Sequence, residues 1–144
     1  MSGAKYVIIA GCGRVGSSMA RRLAAEGHDV VVIDDDRRSF ALLGDDFPGR
    51  RVVGAAIDWE VLRKAGIEGA DAFAAVTDGD NTNIVCALIA QRAFEVPCSV
   101  ARVYDPRRAQ AFARMGLRTV CPTHDAEEAM VDAIHACRLP EPEA

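Results

Sequence analysis

Gly11, Gly13 and Gly16 stand in the spacing Gly-x-Gly-x-x-Gly directly after the apolar run Tyr6-Val-Ile-Ile-Ala10. The chemistry of such a turn is anion binding. Gly11 permits a tight turn off a strand, and Gly13 lets a ligand's pyrophosphate approach the backbone. Gly16 lets the next helix pack close to the sheet, so that free N–H groups and the positive end of the helix dipole face the phosphates. Arg14, inside the turn, is placed to clamp a phosphate with two hydrogen bonds. Cys12 and Val15 complete the turn. A helix N-terminus can lower a thiol's pKa, but Cys12 reads more simply as a small filler. A second requirement is met about 20 residues on, where the run Asp29-Val-Val-Val-Ile-Asp34 ends in a carboxylate. Asp34 is expected to accept hydrogen bonds from ribose hydroxyls and to repel a 2′-phosphate, which favours NAD(H) or an adenine nucleotide (ATP, ADP or AMP) and disfavours NADP. Its neighbour Asp35 belongs to the same site, and Asp35 and Asp36 suffice to cap the helix that follows.

The elements that position these residues follow from periodicity. Continuous apolar runs predict strands buried on both faces at Tyr6–Ala10 and Asp29–Asp34, with shorter ones at 51–54, 72–76, 99–103 and 119–121. Helical patterns separate them. Met19, Ala20, Leu23 and Ala24 line one side of the first, which Gly27 stops, and the second runs from Arg37 to Leu43 before Pro48-Gly49. Asp58 is a natural N-cap for a third helix closed by Gly66, and Ile84, Val85, Leu88 and Ile89 mark a fourth over 81–94. Asp105-Pro106 opens a fifth. Six strands, each followed by a helix, specify a Rossmann-like, doubly wound, six-stranded parallel sheet with helices on both faces over residues 1–123. In that architecture the loops after the third and fourth strands, carrying Ala55, Ala56, Thr77 and Asp78, are expected to flank the adenosine.

Residues 124–138 form a last helix after the sheet is complete. Its stripe of Ala126, Met130, Ala133, Ile134 and Cys137 either packs back on the sheet or docks on another subunit, and the pattern favours neither. The tail 139–144 is proline-rich and expected to fray.

A chain of 144 residues, half of them hydrophobic, holds one domain with a substantial core and leaves no room for a second, catalytic one. A net charge of −4 with interspersed acids argues against nucleic acid as a partner. The paired arginines at 21–22, 37–38, 50–51 and 107–108 read as solvated faces. Five cysteines without any Cys-x-x-Cys suggest neither disulfides nor zinc, hence a reducing cytoplasm. His28, His124 and His135 fit no metal spacing. The N-terminus shows no signal peptide and no apolar run spans a bilayer, so any membrane link is expected to go through a partner.

The ordered series Tyr6-Val-Ile-Ile-Ala-Gly-Cys-Gly-Arg-Val-Gly16, Val31-Val-Ile-Asp34, Val61-Leu-Arg-Lys-Ala-Gly66, Ala70-Asp71-Ala72 and Ala75-Val-Thr-Asp-Gly-Asp-Asn-Thr-Asn83 resembles the nucleotide-binding (TrkA-N, RCK N-terminal) domain of TrkA/Ktr potassium-transport regulators. The resemblance covers about residues 5 to 137. It implies a cytosolic gating module that binds NAD(H) or ATP/ADP, pairs into homodimers and assembles as rings beneath a membrane potassium channel or transporter. By matching positions, the glycine turn and Arg14 would meet phosphates, Asp34 the ribose and Thr77 the ligand's flank. Arg102 falls where the family often has a basic residue near the site, and the last helix resembles the crossover helix through which neighbouring subunits grip each other. Two departures stand out. Gly54-Ala55-Ala56-Ile57 replaces the family's usual Gly-Asp-Ala-Thr, which removes a polar contact near the adenine, and the C-terminal domain common in these regulators is not in this sequence, as expected of a stand-alone subunit or of a fragment.

A regulatory role without catalysis is therefore the expectation. A small oxidoreductase is the runner-up, but Tyr104 is followed four residues later by Arg108 rather than lysine, and no acid or base faces a nicotinamide. A non-binding assembly module of the same fold is the third reading, motivated by Ala55.

Overall fold

The computed structural model describes residues 3–138 and 140–142. Strand β1 (Tyr6–Ala10) is the centre of the sheet, and its Ile8, Ile9 and Ala10 are fully buried. Helix α1 (Arg14–Ala25) leads to β2 (Asp29–Asp34), and a 3₁₀ segment (Arg37–Leu43) leads to β3 (Arg50–Val53). Helix α2 (Trp59–Lys64) crosses back to β4 (Ala72–Ala75). Helix α3 (Asp80–Leu88), widened by a π turn at Ile89–Ala93, joins β4 to β5 (Cys98–Arg102), and α4 (Pro106–Arg114) joins β5 to β6 (Arg118–Val120). Helix α5 (Pro122–Ala136) follows.

The six strands pair in the order β3-β2-β1-β4-β5-β6, parallel throughout, as the sequence predicts for a doubly wound sheet. Register puts Ala10 beside both Ile33 and Ala75, so β1, β2 and β4 end at one level. The chain winds one way from β1 to β3 and the other way from β4 to β6, and the loops at the β1/β4 junction diverge to leave a crevice.

Two apolar layers hold the helices on. Val7, Ile9, Val30 and Val32 face α1 and the 3₁₀ segment, while Ile8, Val31, Ile33 and Phe73 face α2, α3 and α4. The segment 37–43 is 3₁₀ rather than the α-helix its pattern suggests. Its two buried side chains, Phe40 and Leu43, are three residues apart, the spacing that a three-residue turn places on one face. Helix α5 begins at Pro122, two residues earlier than expected, because proline suits the first helical position, where no N–H partner is needed. None of its residues is buried, and Met130 and Ile134 are 64% and 55% exposed. Its stripe is therefore not taken up by the sheet of its own chain. The expectation of a frayed tail falls partly outside the described residues; Pro140–Pro142 are exposed and without regular structure.

Candidate functional site

Positive φ at Gly11 (109°) turns the chain sharply off β1, and its N–H donates to the Ile33 carbonyl (2.8 Å), which ties the turn to β2. A methyl on Gly11 would lie 2.7 Å from the Val76 carbonyl oxygen, and one on Gly16 would strike the Gly11 carbonyl. A methyl on Gly13 would meet nothing within 4 Å. Two glycines are thus filled from behind by backbone, and the third opens onto free space at the start of α1. That is the shape a phosphate cradle needs.

Asp34 closes the other side. One carboxylate oxygen accepts from the Cys12 N–H and the other from the Asp36 N–H, both at 2.8 Å. It does not cap the 3₁₀ segment; Asp36 does, accepting from the Arg38 N–H at 3.0 Å. Each carboxylate oxygen of Asp34 keeps a further lone pair for a ligand.

Around these residues lies a cleft of about 530 Å³. Gly11, Cys12 and Gly13 form its floor, and Asp34, Asp35, Asp36 and Ser39 one wall. Gly54, Ala55, Ala56 and Ile57 from the β3 loop form an apolar end, and Val76, Thr77, Asp78 and Thr82 the opposite wall. Nine of the residues expected at the site are thereby brought together: Gly11, Cys12, Gly13, Asp34, Asp35, Ala55, Ala56, Thr77 and Asp78. Arg14 and Val15, both exposed, Gly16, buried behind the turn, and Arg102 lie outside the lining. Thr77 and Asp78, which follow β4, reach the cleft from the side of β1 opposite the Ala55–Ala56 loop that follows β3.

Arg102 is anchored into the far wall. Its Nη2 donates to the carbonyls of Val76 (3.1 Å) and Thr77 (3.0 Å), its guanidinium stacks 4.9 Å from the Tyr104 ring centroid, and its buried Nε–H has no partner among the described residues.

Sequence reasoning passed over Asn83, which is fully buried yet makes four hydrogen bonds. Its Oδ1 accepts from the Thr77 N–H (2.8 Å) and hydroxyl (2.6 Å), and its Nδ2 donates to the carbonyls of Thr77 (3.0 Å) and Arg102 (2.9 Å). Asp80, one helical turn earlier, accepts from the N–H groups of Tyr104 (2.8 Å) and Asp105 (3.0 Å). Helix α3 thus fixes the ends of both β4 and β5. Ile33, Asp36, Ser39, Gly54, Ile57, Val76 and Thr82 were also missed, for they line the cleft through backbone position rather than chemical type.

Cys12 is not activated by the helix end. Burial pushes its thiol from 9.0 up to about 11; the Asp34 carboxylate adds to this and Arg51 opposes it. The thiol points at the Ser39 carbonyl (3.4 Å). Burial likewise pushes Cys86 up to about 12. In native protein at pH 8 a thiol reagent is expected to label exposed Cys98 and Cys137 and to spare Cys12 and Cys86. Between about pH 9 and 11 the unfolded chain releases these two protons while the folded chain keeps them. Stability is therefore intact below pH 9 and falls as pH rises, and urea midpoints taken from pH 8 to 11 check this; midpoints rising across that range would contradict it.

Strand order and cleft together define a Rossmann-like domain of the nucleotide-binding class. The chain belongs to the TrkA-N domain family, which it matches over residues 7–123. It is 53% identical over 115 residues to the Trk system potassium uptake protein TrkA of Streptomyces coelicolor, covering 80% of this chain and 52% of that protein. It is 37% identical over 107 residues to the TrkA homolog of Pyrococcus abyssi, covering 74% of this chain and 47% of the other. The chain therefore spans about half the length of these relatives. Among solved structures it resembles the C-terminal domain of Kef from Shewanella denitrificans in AMP-bound form, with TM-score 0.73 and 25% identity over 90% of this chain and 80% of that one. The TrkA-N domain of the Escherichia coli inner membrane protein ybaL shares the fold, with TM-score 0.76 and 21% identity over 93% and 99% of the two chains. Among the described residues no helix is long and apolar enough to cross a membrane.

Proposed function

We propose that this chain is the nucleotide-sensing part of a regulator of potassium uptake, acting at the cytoplasmic face of a membrane transporter. The observation that carries the reading is the cleft at the strand-order reversal, with an open glycine at one helix end and an Asp34 carboxylate spared from capping, in a chain of the TrkA-N family. The potassium-uptake names of its relatives and the AMP in the Kef domain support it. The phosphates would sit on the glycine turn with Arg14 beside them, the first ribose on Asp34, and the base against Ala55, Ala56 and Ile57. Arg102 contributes by holding the Thr77 wall. No histidine, lysine or tyrosine lines the cleft among the described residues, which favours a ligand that is a signal over one that is a reagent. The unburied stripe of α5 favours a homodimer contact, and ligand binding would act by favouring one arrangement of that assembly.

Calorimetry with NAD, NADH, AMP, ADP, ATP and NADP tests the site. Binding is expected for adenine nucleotides lacking a 2′-phosphate, and NADP is expected to bind at least about tenfold more weakly, since its extra charge would meet Asp34 and Asp35. Asp34→Ala is expected to weaken binding by about tenfold to a hundredfold, the range for a hydrogen bond to a charged group. No binding of any of these ligands at millimolar concentration would overturn the proposal.

A further inference from the structure

The end of the cleft assigned to the base carries no side-chain hydrogen-bonding group. It is built from Gly54, Ala55, Ala56 and Ile57, in the loop between β3 and α2. That loop is fastened from its own side. The Gly54 N–H donates to the Asp34 carbonyl (3.0 Å) and the Asp58 N–H to the Ala55 carbonyl (3.1 Å), which closes a turn centred on Ala56 and Ile57. Val61 fills the space behind Gly54, where a methyl would lie 2.5 Å from its Cγ2. The carboxylate of Asp58 is turned to α2, where it accepts from the Glu60 N–H at 2.9 Å.

A purine against these residues packs on methyl groups and is read by shape. Apolar surface discriminates poorly between isosteres, whereas a site built of buried polar groups rejects the wrong partner by orders of magnitude, because those groups are left unpaired. Ile57 is also 48% exposed, so the edge of the base stays open to water, and no base is penalised for a group it cannot pair. The adjoining wall adds no preference. Asp36 is taken up by Arg38, whose N–H, Nε and Nη2 donate to it at 3.0, 3.1 and 3.1 Å. The Ser39 hydroxyl both donates and accepts, and the exposed Asp35 carboxylate accepts from the amino group of adenine or guanine alike. Affinity is left to the glycine turn and Asp34, which meet the phosphate and ribose that all nucleotides share.

We propose that this cleft selects for the ribose phosphate and not for the base, and takes guanine and hypoxanthine nucleotides as well as adenine ones. This rests on reading the cleft as a nucleotide site with the base against residues 54–57. The test is calorimetry with AMP, IMP and GMP on the unaltered chain and on Ala55→Asp. On the unaltered chain the dissociation constants are expected to lie within about tenfold of one another. Ala55 is exposed, so its replacement leaves the packing intact, and a melting curve checks this. The new carboxylate would accept from the exocyclic amino group of adenine and repel the carbonyl oxygen of hypoxanthine, so AMP is expected to gain about tenfold over IMP. A difference beyond about tenfold between any two of the ligands on the unaltered chain would overturn the proposal while leaving the nucleotide site standing. So would an Ala55→Asp variant with an unchanged ratio of AMP to IMP affinity, since the base would then lie away from this loop. No binding of any of the three at millimolar concentration would remove both readings.

Discussion

Gly16→Ala is expected to destabilise the protein by about 3 kcal/mol or more, a loss of roughly 10 °C in melting temperature for a chain of this length, whereas Gly13→Ala leaves the melting temperature almost unchanged and abolishes nucleotide binding. The two substitutions add the same methyl to the same turn and differ only in what it meets. At Gly16 the methyl carbon would lie 2.9 Å from the Gly11 carbonyl carbon, with the carbonyl oxygen closer still, and 3.2 Å from Val76 Cγ2. Backbone cannot swing aside as a long side chain can, so either the turn or the first turn of α1 must move. Gly11 in turn is wedged against Val76 and Thr77, so a displaced turn transmits the strain to β4. At Gly13 the backbone is in an ordinary region (φ −85°) and the methyl enters open space, the space assigned to the phosphates. Thermal melts with and without nucleotide check the pair. Equal melting temperatures for the two variants would contradict the packing account, and nucleotide binding by Gly13→Ala would contradict the placement of the phosphates.

The apolar runs of β1 and β2 made the strands legible because residues covered on both faces have no polar alternation. Glycine spacing and Asp34 made the floor of the site legible because a tight turn and a sugar contact each require a residue type. What the chain order does not carry is lateral strand order, which sets the loops of Ala55 and Thr77 on opposite sides of β2 and β1 while both line one cleft. The fate of α5 is not legible for a related reason: its stripe says only that it is apolar, and the surface that would cover it is not encoded in the helix. Asn83 did leave a signal. It shares a helical face with Cys86, Ala87 and Ala90, all fully buried, and a polar residue inside such a stripe has to be satisfied by partners there. Periodicity marks such a position, but only the meeting of β4 and β5 over α3 shows that its partners are the wall of the site.

Asn83→Asp, a change of one amide nitrogen to oxygen, is expected to cost about 3 kcal/mol or more of stability at pH 7. The substitution keeps size and shape but replaces two donors with a group that, when ionised, has none. The carbonyls of Thr77 and Arg102 lie 3.0 and 2.9 Å from the altered atom in the native chain, and with the carboxylate each would lose its hydrogen bond and face a negative charge in a fully buried site. The Thr77 N–H and hydroxyl still favour the carboxylate from the other oxygen, so the cost falls short of that of an isolated buried charge. Protonation gives back one donor, so the folded state prefers the neutral acid and the new carboxyl titrates above its unfolded value of about 3.9. The sign follows: the variant is closest to the parent below that value and loses stability as pH rises through the higher folded-state pKa. Asn83→Leu, which has no proton to exchange, is expected to be destabilised without this added dependence. Urea midpoints of parent, Asp and Leu variants between pH 4 and 8 separate the two behaviours. A gap between the Asp variant and the parent that stays constant over that range would mean that the donors of Asn83 are not what holds the wall.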